Sequence, residues 1–313
     1  MPIVAVRDLR KEYDEFRALD GVSFEIRPGE VVGLLGPNGA GKTTCLSCLL
    51  GLVEPTGGDV AVAGVNAQAN PRVVHRHTAA MLEGARNVYW RLTPRENLEF
   101  FAGVAGRDTD RLRDRHDELL KRFGLADRAD DPVRELSRGM KQKVSLATTL
   151  ARDVDVVFLD EPTLGLDVES SLELRRELAS LVAEEDLAVV LSSHDMDVIQ
   201  DLCDRVVVLS DGEVVADDSV DALLDLFRTQ TYEFTLETPG NGLRDGLERR
   251  CTVTVYDETD DRVTATVTVG DEDAFAETVS YLAAADGRLA RVESVEPDFE
   301  EVFLRLTGGE EGE

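Results

Sequence analysis

With 313 residues, 42% of them hydrophobic, the chain can bury a sizeable core and is long for one domain, so two domains are expected. Its 63 acidic and 34 basic residues give a formal net charge of -29, which argues against a nucleic-acid or lipid-headgroup binder, since such proteins carry basic patches. No apolar run reaches the ~18 residues of a membrane helix, and Met1-Pro2-Ile3-Val4-Ala5 lacks the charged and apolar regions of a signal peptide. The expected location is cytoplasmic, with any membrane role exercised through a partner.

The acid is spread over the whole chain, and lysine is confined to Lys11, Lys42, Lys121, Lys141 and Lys143. Such a surface repels itself at low ionic strength and is tolerable under salt screening, a charge strategy associated with halophiles, so a halophilic archaeal host is expected. The four cysteines, Cys45, Cys48, Cys203 and Cys251, are few and scattered, as suits a reducing compartment. Cys45 and Cys48 form a C-x-x-C pair without a second pair nearby, and read as packing residues rather than zinc ligands or a redox couple.

In chain order, residues 3–9 and 22–27 alternate as half-buried strands with Tyr13 between them, and Val31-Val32-Gly33-Leu34-Leu35 reads as a buried strand. Gly36-Pro37-Asn38-Gly39-Ala40-Gly41-Lys42-Thr43 then fits the phosphate-loop pattern G-x-x-x-x-G-K-[ST] in full, followed by a helix from Thr44 to Leu52. Glycines let backbone N–H groups turn toward phosphate oxygens, and the helix N-terminus adds partial positive charge. Lys42 is expected to reach the β- and γ-phosphates and the Thr43 hydroxyl to sit on Mg²⁺. A short strand at 59–64 completes a small β layer.

Thr93-Pro94-Arg95-Glu96 is a capping-box start to a helical region that runs to about Leu125, broken at Gly103 and Gly106. Ser137 opens another helix, to about Arg152. Val154–Asp160 reads as a strand inside a sheet covered on both faces. Asp160 at its end is placed to orient Mg²⁺; Glu161, leaving in the opposite direction, can face the γ-phosphate and polarise the attacking water. A helix at 168–184, a strand at 188–192, a helix at 195–203 and a hairpin turning at Asp211-Gly212 follow. The alternation implies an α/β core with a largely parallel sheet. From about Arg228 the pattern changes to strands at 231–237, 251–256, 262–269 and 289–295, with helices at 271–285 and 297–306 and an acidic tail: a small α+β domain without a catalytic motif.

Leu136-Ser137-Arg138-Gly139-Met140-Lys141-Gln142 resembles the signature of the ATP-binding cassette (ABC) ATPases, LSGGQ, with Arg138 and Met140 as departures. Glu161-Pro162-Thr163-Leu164-Gly165-Leu166-Asp167 is similar to that family's D-loop region, and Ser192-Ser193-His194-Asp195 to its switch-histidine region. The resemblance covers roughly residues 1–227, with the motifs in the family's order. It implies a P-loop ABC ATPase core over 1–227, with mostly parallel sheet, antiparallel β subdomain and helical subdomain at about 93–152, and a small α+β accessory domain over 228–313.

The resemblance also implies roles. Gly36 to Thr44 would hold the phosphates of ATP, and Tyr13 would stack on adenine. Thr43, Asp160 and Glu83 (where the family has the Q-loop glutamine) would attend Mg²⁺, while Glu161, His194 and Lys42 would be catalytic. Ser137 and Gly139 would bind the γ-phosphate of ATP held by a second subunit, and Asp167 would tie the two sites together. His75, His77 and His116 are read as structural or exposed.

The stretch Gly84 to Leu92 holds the only tryptophan, Trp90, and would receive a transmembrane permease. The longer stretch Gly84 to Asn97, with Leu136–Met140 and Glu296–Gly308, resembles the type-2 exporters of drugs, antibiotics or sodium. The expectation is therefore an ATP-hydrolysing subunit, paired with a second copy and peripheral on the cytoplasmic face of the membrane through its permease. An importer ATPase and a non-transport ATP-driven clamp are the alternatives.

Overall fold

The computed structural model describes residues 1–14, 16–82, 87–226, 230–237, 243–259, 261–270, 272–284, 288–295 and 299–307. The chain divides into two compact units, one comprising Met1–Val220 and the chain from Phe303 on, the other Asp221–Val302.

In the first unit, β1 (Val4–Tyr13), β2 (Phe16–Ile26), β4 (Gly57–Val62) and β5 (Val65–Asn66) form an antiparallel sheet in the order β2-β1-β4-β5. The β1–β2 hairpin is longer than the alternation of apolar residues suggests, so Tyr13 ends a strand rather than lying between two. A second, six-stranded sheet contains β3 (Val31–Leu35), β6 (Thr78–Met81), β7 (Val156–Asp160), β8 (Ala188–Ser192), β9 (Arg205–Ser210) and β10 (Glu213–Ser219), in the order β10-β9-β3-β8-β7-β6. Its pairings are parallel except for the β9–β10 hairpin. Every residue of β3 and β8 is buried, as their continuous apolar runs require of strands covered on both faces. The register places Asp160 beside Ser192, so the loops after β7 and β8 leave the sheet together.

The helices of this unit are α1 (Lys42–Leu49), α2 (Pro71–His77), α3 (Pro94–Val104), α4 (Arg113–Arg122), α5 (Arg138–Leu150), α6 (Val168–Glu185) and α7 (Met196–Leu202). Cys45, Cys48 and Leu49 of α1 are buried in the same core as Val6 and Leu9 of the antiparallel sheet, so both sheets share one apolar centre with the helix that follows the phosphate loop. The expected capping box is present at α3: Thr93 accepts from the Glu96 N–H and the Glu96 carboxylate accepts from the Thr93 N–H. Of the two glycines at which a break is expected, Gly106 lies in the chain between α3 and α4, whereas Gly103 lies inside α3. Arg115 on α4 makes a two-pronged pair with Glu185 at the end of α6, with contacts of 2.7 and 2.8 Å. The three histidines set aside as structural have local partners: His75 meets the Leu50 carbonyl, His77 pairs with Asp155, and His116 is buried against the Ala151 carbonyl.

The second unit carries α8 (Val220–Leu226), β11 (Gln230–Glu237), α9 (Leu243–Glu248), β12 (Thr252–Thr259), β13 (Arg262–Val269), α10 (Glu272–Ala284), β14 (Arg288–Ser294) and the start of α11 (Phe299–Leu306). Its strands form an antiparallel sheet in the order β12-β13-β11-β14. Phe234, Leu236, Val263, Ala265 and Val267 bury one face of it, together with Leu282 from α10 and Leu247 from α9. The short helices α2 and α9 and the strand β6 are not anticipated by sequence period. Each has four to seven residues, too few to display one.

Candidate active site

One cleft of about 280 Å³ in the first unit is lined by Asn38 to Thr44, Phe16, Ala18, Asp160, Glu161, Ser192 and His194. These residues lie far apart in sequence and meet because β3, β7 and β8 are parallel neighbours that end at one sheet edge, where α/β folds place ligands.

The phosphate loop is built around glycine at two positions. A Cβ on Gly36, whose φ is 151°, would stand 2.3 Å from the Leu209 carbonyl oxygen. One on Gly41 (φ 101°) would stand 2.5 Å from the Ala18 carbonyl oxygen. Both obstacles are backbone, so no side chain can be accommodated by a rotamer change. Gly41 stands at the N-cap of α1 and, lacking a side chain, makes no capping hydrogen bond, whereas Thr93, Ser137 and Asp167 cap α3, α5 and α6 with their side chains. The N-terminal N–H groups of α1 thus open on the cleft as donors for an anion.

Lys42 is half-buried, and its ammonium donates to the Gly36 and Pro37 carbonyls. Burial holds its pKa below the ordinary lysine value, opposed by the charges of Asp160 and Glu161.

Across the cleft, Asp160 ends β7 and accepts a hydrogen bond from the Ser192 hydroxyl. Glu161 follows with φ 51°, a left-handed conformation that costs a non-glycine residue on the order of 1–2 kcal/mol. The turn is held by its own backbone: the Glu161 N–H donates to the Ser192 carbonyl at 3.0 Å, and the Leu164 N–H to the Glu161 carbonyl at 3.2 Å. The Glu161 side chain is only 11% exposed. Burial raises its pKa, opposed chiefly by the His194 ring, whose Nε2 lies 3.8 Å from Oε1, and also by the Ser193 hydroxyl, which donates to Oε2 at 3.4 Å. A carboxylate pushed up by burial while facing the cleft is suited to accept a proton.

Tyr13 and Phe16 are register partners at the end of the β1–β2 hairpin. Phe16, 61% exposed, lines the cleft; Tyr13, 43% exposed, carries the Lys11 ammonium 4.8 Å above its ring and is not among the lining residues. Phe16 escaped the reading of the sequence because it sits at a β turn between charged residues, where an aromatic shows no period. Glu83 and its neighbours through Arg86 lie outside the described residues.

Ser137 and Gly139 do not line the cleft of their own chain. Ser137 is exposed and caps α5, its hydroxyl accepting from the Met140 N–H at 3.2 Å. Asp167 caps α6 through the Ser170 N–H at 2.8 Å, which with the Ser170 hydroxyl holds its carboxyl below the usual range.

The family described as "ABC transporter" matches residues 19–164, which include the phosphate loop, the signature and the β7 carboxylates. The chain is 35% identical to the daunorubicin resistance ATP-binding protein DrrA2 of Streptomyces coeruleorubidus, an alignment covering 97% of this chain and 95% of that protein. This chain belongs to the ABC transporter ATP-binding proteins. It is also 38% identical to the Nod factor export ATP-binding protein I of Ralstonia nicotianae, over 69% of this chain and 66% of that one. A solved ATP-binding subunit of an ABC transporter superimposes with a TM-score of 0.65 at 31% identity, over 72% of this chain and 93% of that chain. The fold is thus a P-loop ABC ATPase core, with mixed sheet and helical subdomain, joined to a C-terminal α+β domain. As an ABC ATP-binding subunit, the protein couples ATP hydrolysis to transport. Among the described residues no helix is long and apolar enough to cross a membrane.

Proposed function

We propose that this protein is the ATPase subunit of an ABC exporter, working as a pair of identical chains beneath a separate transmembrane permease. The observation that carries the catalytic part is the single cleft joining Lys42 and the open end of α1 to Asp160, Glu161 and His194. ATP phosphates fit the α1 N-terminus and Lys42, and Phe16 and Tyr13 offer aromatic surface near the mouth of the cleft. Glu161 takes a proton from water as the water oxygen bonds to the γ-phosphorus and the bond to the ADP oxygen breaks. His194, beside Glu161, contacts the γ-phosphate. The Thr43 hydroxyl and Asp160 carboxylate are hard oxygen donors at the cleft, which fits them to Mg²⁺; when bound, the ion neutralises phosphate charge. Glu83 keeps its proposed place as a third, water-mediated contact to the metal.

Two chains are needed in this reading because Ser137 and Gly139 lie outside their own cleft, and an exposed serine heading a helix suits the γ-phosphate of a facing copy. Asp167 would tie the two sites together.

The permease contact is assigned to the region of Glu83 to Leu92. Trp90 is 66% and Tyr89 53% exposed, and beside them lies a groove of about 620 Å³ lined by Leu92, Glu96, Glu99, Phe100, Gly103 and Val104. Exposed aromatics next to an apolar groove are typical interface anchors. Export rather than import is favoured by the roles for which the two relatives are named, Nod factor export and daunorubicin resistance. The alignment to the second extends through the C-terminal unit. The dispersed charge of -29 supports a halophilic host, and dialysis into low-salt buffer is expected to unfold the protein, as circular dichroism would record.

The deciding experiment is Glu161→Gln assayed in high salt. ATP hydrolysis is expected to fall by about 10²-fold or more while ATP still binds. With ATP and Mg²⁺ the variant is expected to elute as a dimer on size-exclusion chromatography with light scattering. Undiminished hydrolysis would remove Glu161 as the base, and a monomer at every concentration would remove the paired site.

A further inference from the structure

The helix that begins with Ser137 also grips the turn that carries Glu161. Gln142, five residues after Ser137 and about 7.5 Å along the helix axis, is part-buried, and its side-chain amide points at two successive carbonyls of that turn. Its Nε2 donates to the Pro162 carbonyl at 2.8 Å and to the Glu161 carbonyl at 3.4 Å. A second side chain of the same helix reaches further along the same loop. The Arg138 guanidinium fills the space above Gly165, 2.0 Å from where a Cβ on that residue would stand.

The turn needs such a hold. Glu161 has φ 51° without being glycine, and a strained residue keeps its conformation only where its surroundings over-determine it. Its backbone is fixed on one side by the Ser192 carbonyl of β8. Gln142 fixes it from the other side and does so from α5, a separate element. Gln142 is not itself among the residues that line the cleft, so its contribution lies in where it holds Glu161.

We propose that Gln142 is a positioning residue for Glu161, and that α5 thereby links the signature to the catalytic base within one chain. Resting on the reading of Glu161 as base and Ser137 as partner to a second copy's nucleotide, the proposal makes engagement of Ser137 and alignment of Glu161 one displacement of one helix. Hydrolysis then waits on pairing because the base is held in line by the helix that the facing nucleotide engages.

The test is Gln142→Met, which keeps the length of the side chain and removes its N–H donors, with Gln142→Glu beside it. In the second variant a carboxylate of the same shape faces two carbonyl oxygens. Steady-state kcat and KM for ATP are measured in high salt, together with binding of a fluorescent ATP analogue and the melting temperature. Gln142→Met is expected to lower kcat by about tenfold or more, because a base displaced by a fraction of an ångström loses its line to the water. Gln142→Glu is expected to lower it further, and in both KM and analogue affinity stay within about twofold of the unaltered protein. A kcat within about twofold of the unaltered protein in the folded variants overturns the proposal, as does a parallel loss of kcat and affinity. If one variant fails to fold, the other carries the comparison. Glu161→Gln run alongside separates the two levels: if it abolishes hydrolysis while the Gln142 variants stay active, only the linkage fails, and if it stays active the base assignment fails first.

Discussion

In the first unit β3 and β8 are buried along their whole length, whereas in the second β13 alternates buried and half-buried residues and β14 is largely exposed. The six-stranded sheet that holds β3 and β8 is mostly parallel, and the sheet of the second unit is antiparallel. This difference in strand direction decides where chemistry can be assembled. Parallel neighbours deliver their carboxyl ends to one edge, so Gly36 after β3, Glu161 after β7 and His194 after β8 arrive together. Antiparallel neighbours alternate their ends, and the second unit's loops are divided between two edges. Burial on both faces also fixes the parallel strands firmly enough to support a strained Glu161, a demand that a sheet with one open face does not meet as readily.

The sharpest way to break this contrast is at the edge itself. Gly36→Ala would force a Cβ into the Leu209 carbonyl on β9, a backbone obstacle that moves only if the strand moves. ATP binding and hydrolysis are expected to fall by about 10²-fold or more, a displacement effect at the phosphate loop. Gly39→Ala is the matched control: its φ of 87° is also left-handed, but a Cβ there meets nothing within 4 Å. The control is expected to cost only about 1–2 kcal/mol of backbone strain. Equal losses in nucleotide binding titrations would show that conformation, rather than the Leu209 contact, sets the demand at Gly36.

In the second unit the expected damage is to stability alone. Phe234 is fully buried at the centre of the antiparallel sheet, and Phe234→Ala is expected to destabilise that unit by about 3–5 kcal/mol. Calorimetry would record a lowered transition, with ATP hydrolysis at temperatures below it changed by less than about twofold. A matching fall in hydrolysis would mean that the C-terminal unit acts on the cleft.

The contrast also explains which parts were legible in the amino-acid sequence. The phosphate loop and the Asp160-Glu161 pair could be read because each combines a local backbone demand with a local chemical one. The signature gave a class in spite of Arg138 and Met140, since Ser137 must still cap a helix. Phe16 was hidden because cross-strand register, rather than local sequence, brings it to the cleft. Gln142 is legible only as the end of a motif, because its partners are carbonyls about twenty residues away that no side-chain pattern announces. The small helices α2 and α9 and the strand β6 went unread for want of length.

A smaller effect tests the electrostatics of the edge. As the proposed base, Glu161 would have to be ionised to accept a proton, and burial raises its pKa, so kcat is expected to fall on acidification above the ordinary carboxylate range. The Ser193 hydroxyl donates to the ionised form and opposes that rise, as the His194 ring does, while the Asp160 charge adds to it. Ser193→Ala removes a stabiliser of the charged form. The acid limb of the pH–kcat profile is therefore expected to move to higher pH, with the plateau little altered; movement to lower pH would contradict the sign.

The smallest expected effect on hydrolysis separates the cleft from a third region, the aromatic surface at Tyr89 and Trp90. Tyr89 packs edge-on against Phe100 with ring centroids 4.9 Å apart and stacks on Phe101 at 5.6 Å, so it belongs to the surface of α3. Trp90 is tied to this fold through its backbone, the carbonyl accepting from the Arg134 N–H at 2.9 Å, while the side chain is 66% exposed. Removing an exposed indole deletes little buried area, so Trp90→Ala is expected to change stability by less than about 0.5 kcal/mol and to leave basal hydrolysis within about twofold. A permease docked on this surface would lose an anchor worth about 2 kcal/mol or more if Trp90 is a hot spot of the interface. Transport and transport-stimulated hydrolysis in reconstituted vesicles should then fail while the isolated subunit keeps its basal rate. Loss of basal hydrolysis in step with transport would instead place Trp90 among the supports of the helical subdomain, and the permease would have to be sought along the groove between Leu92 and Thr109.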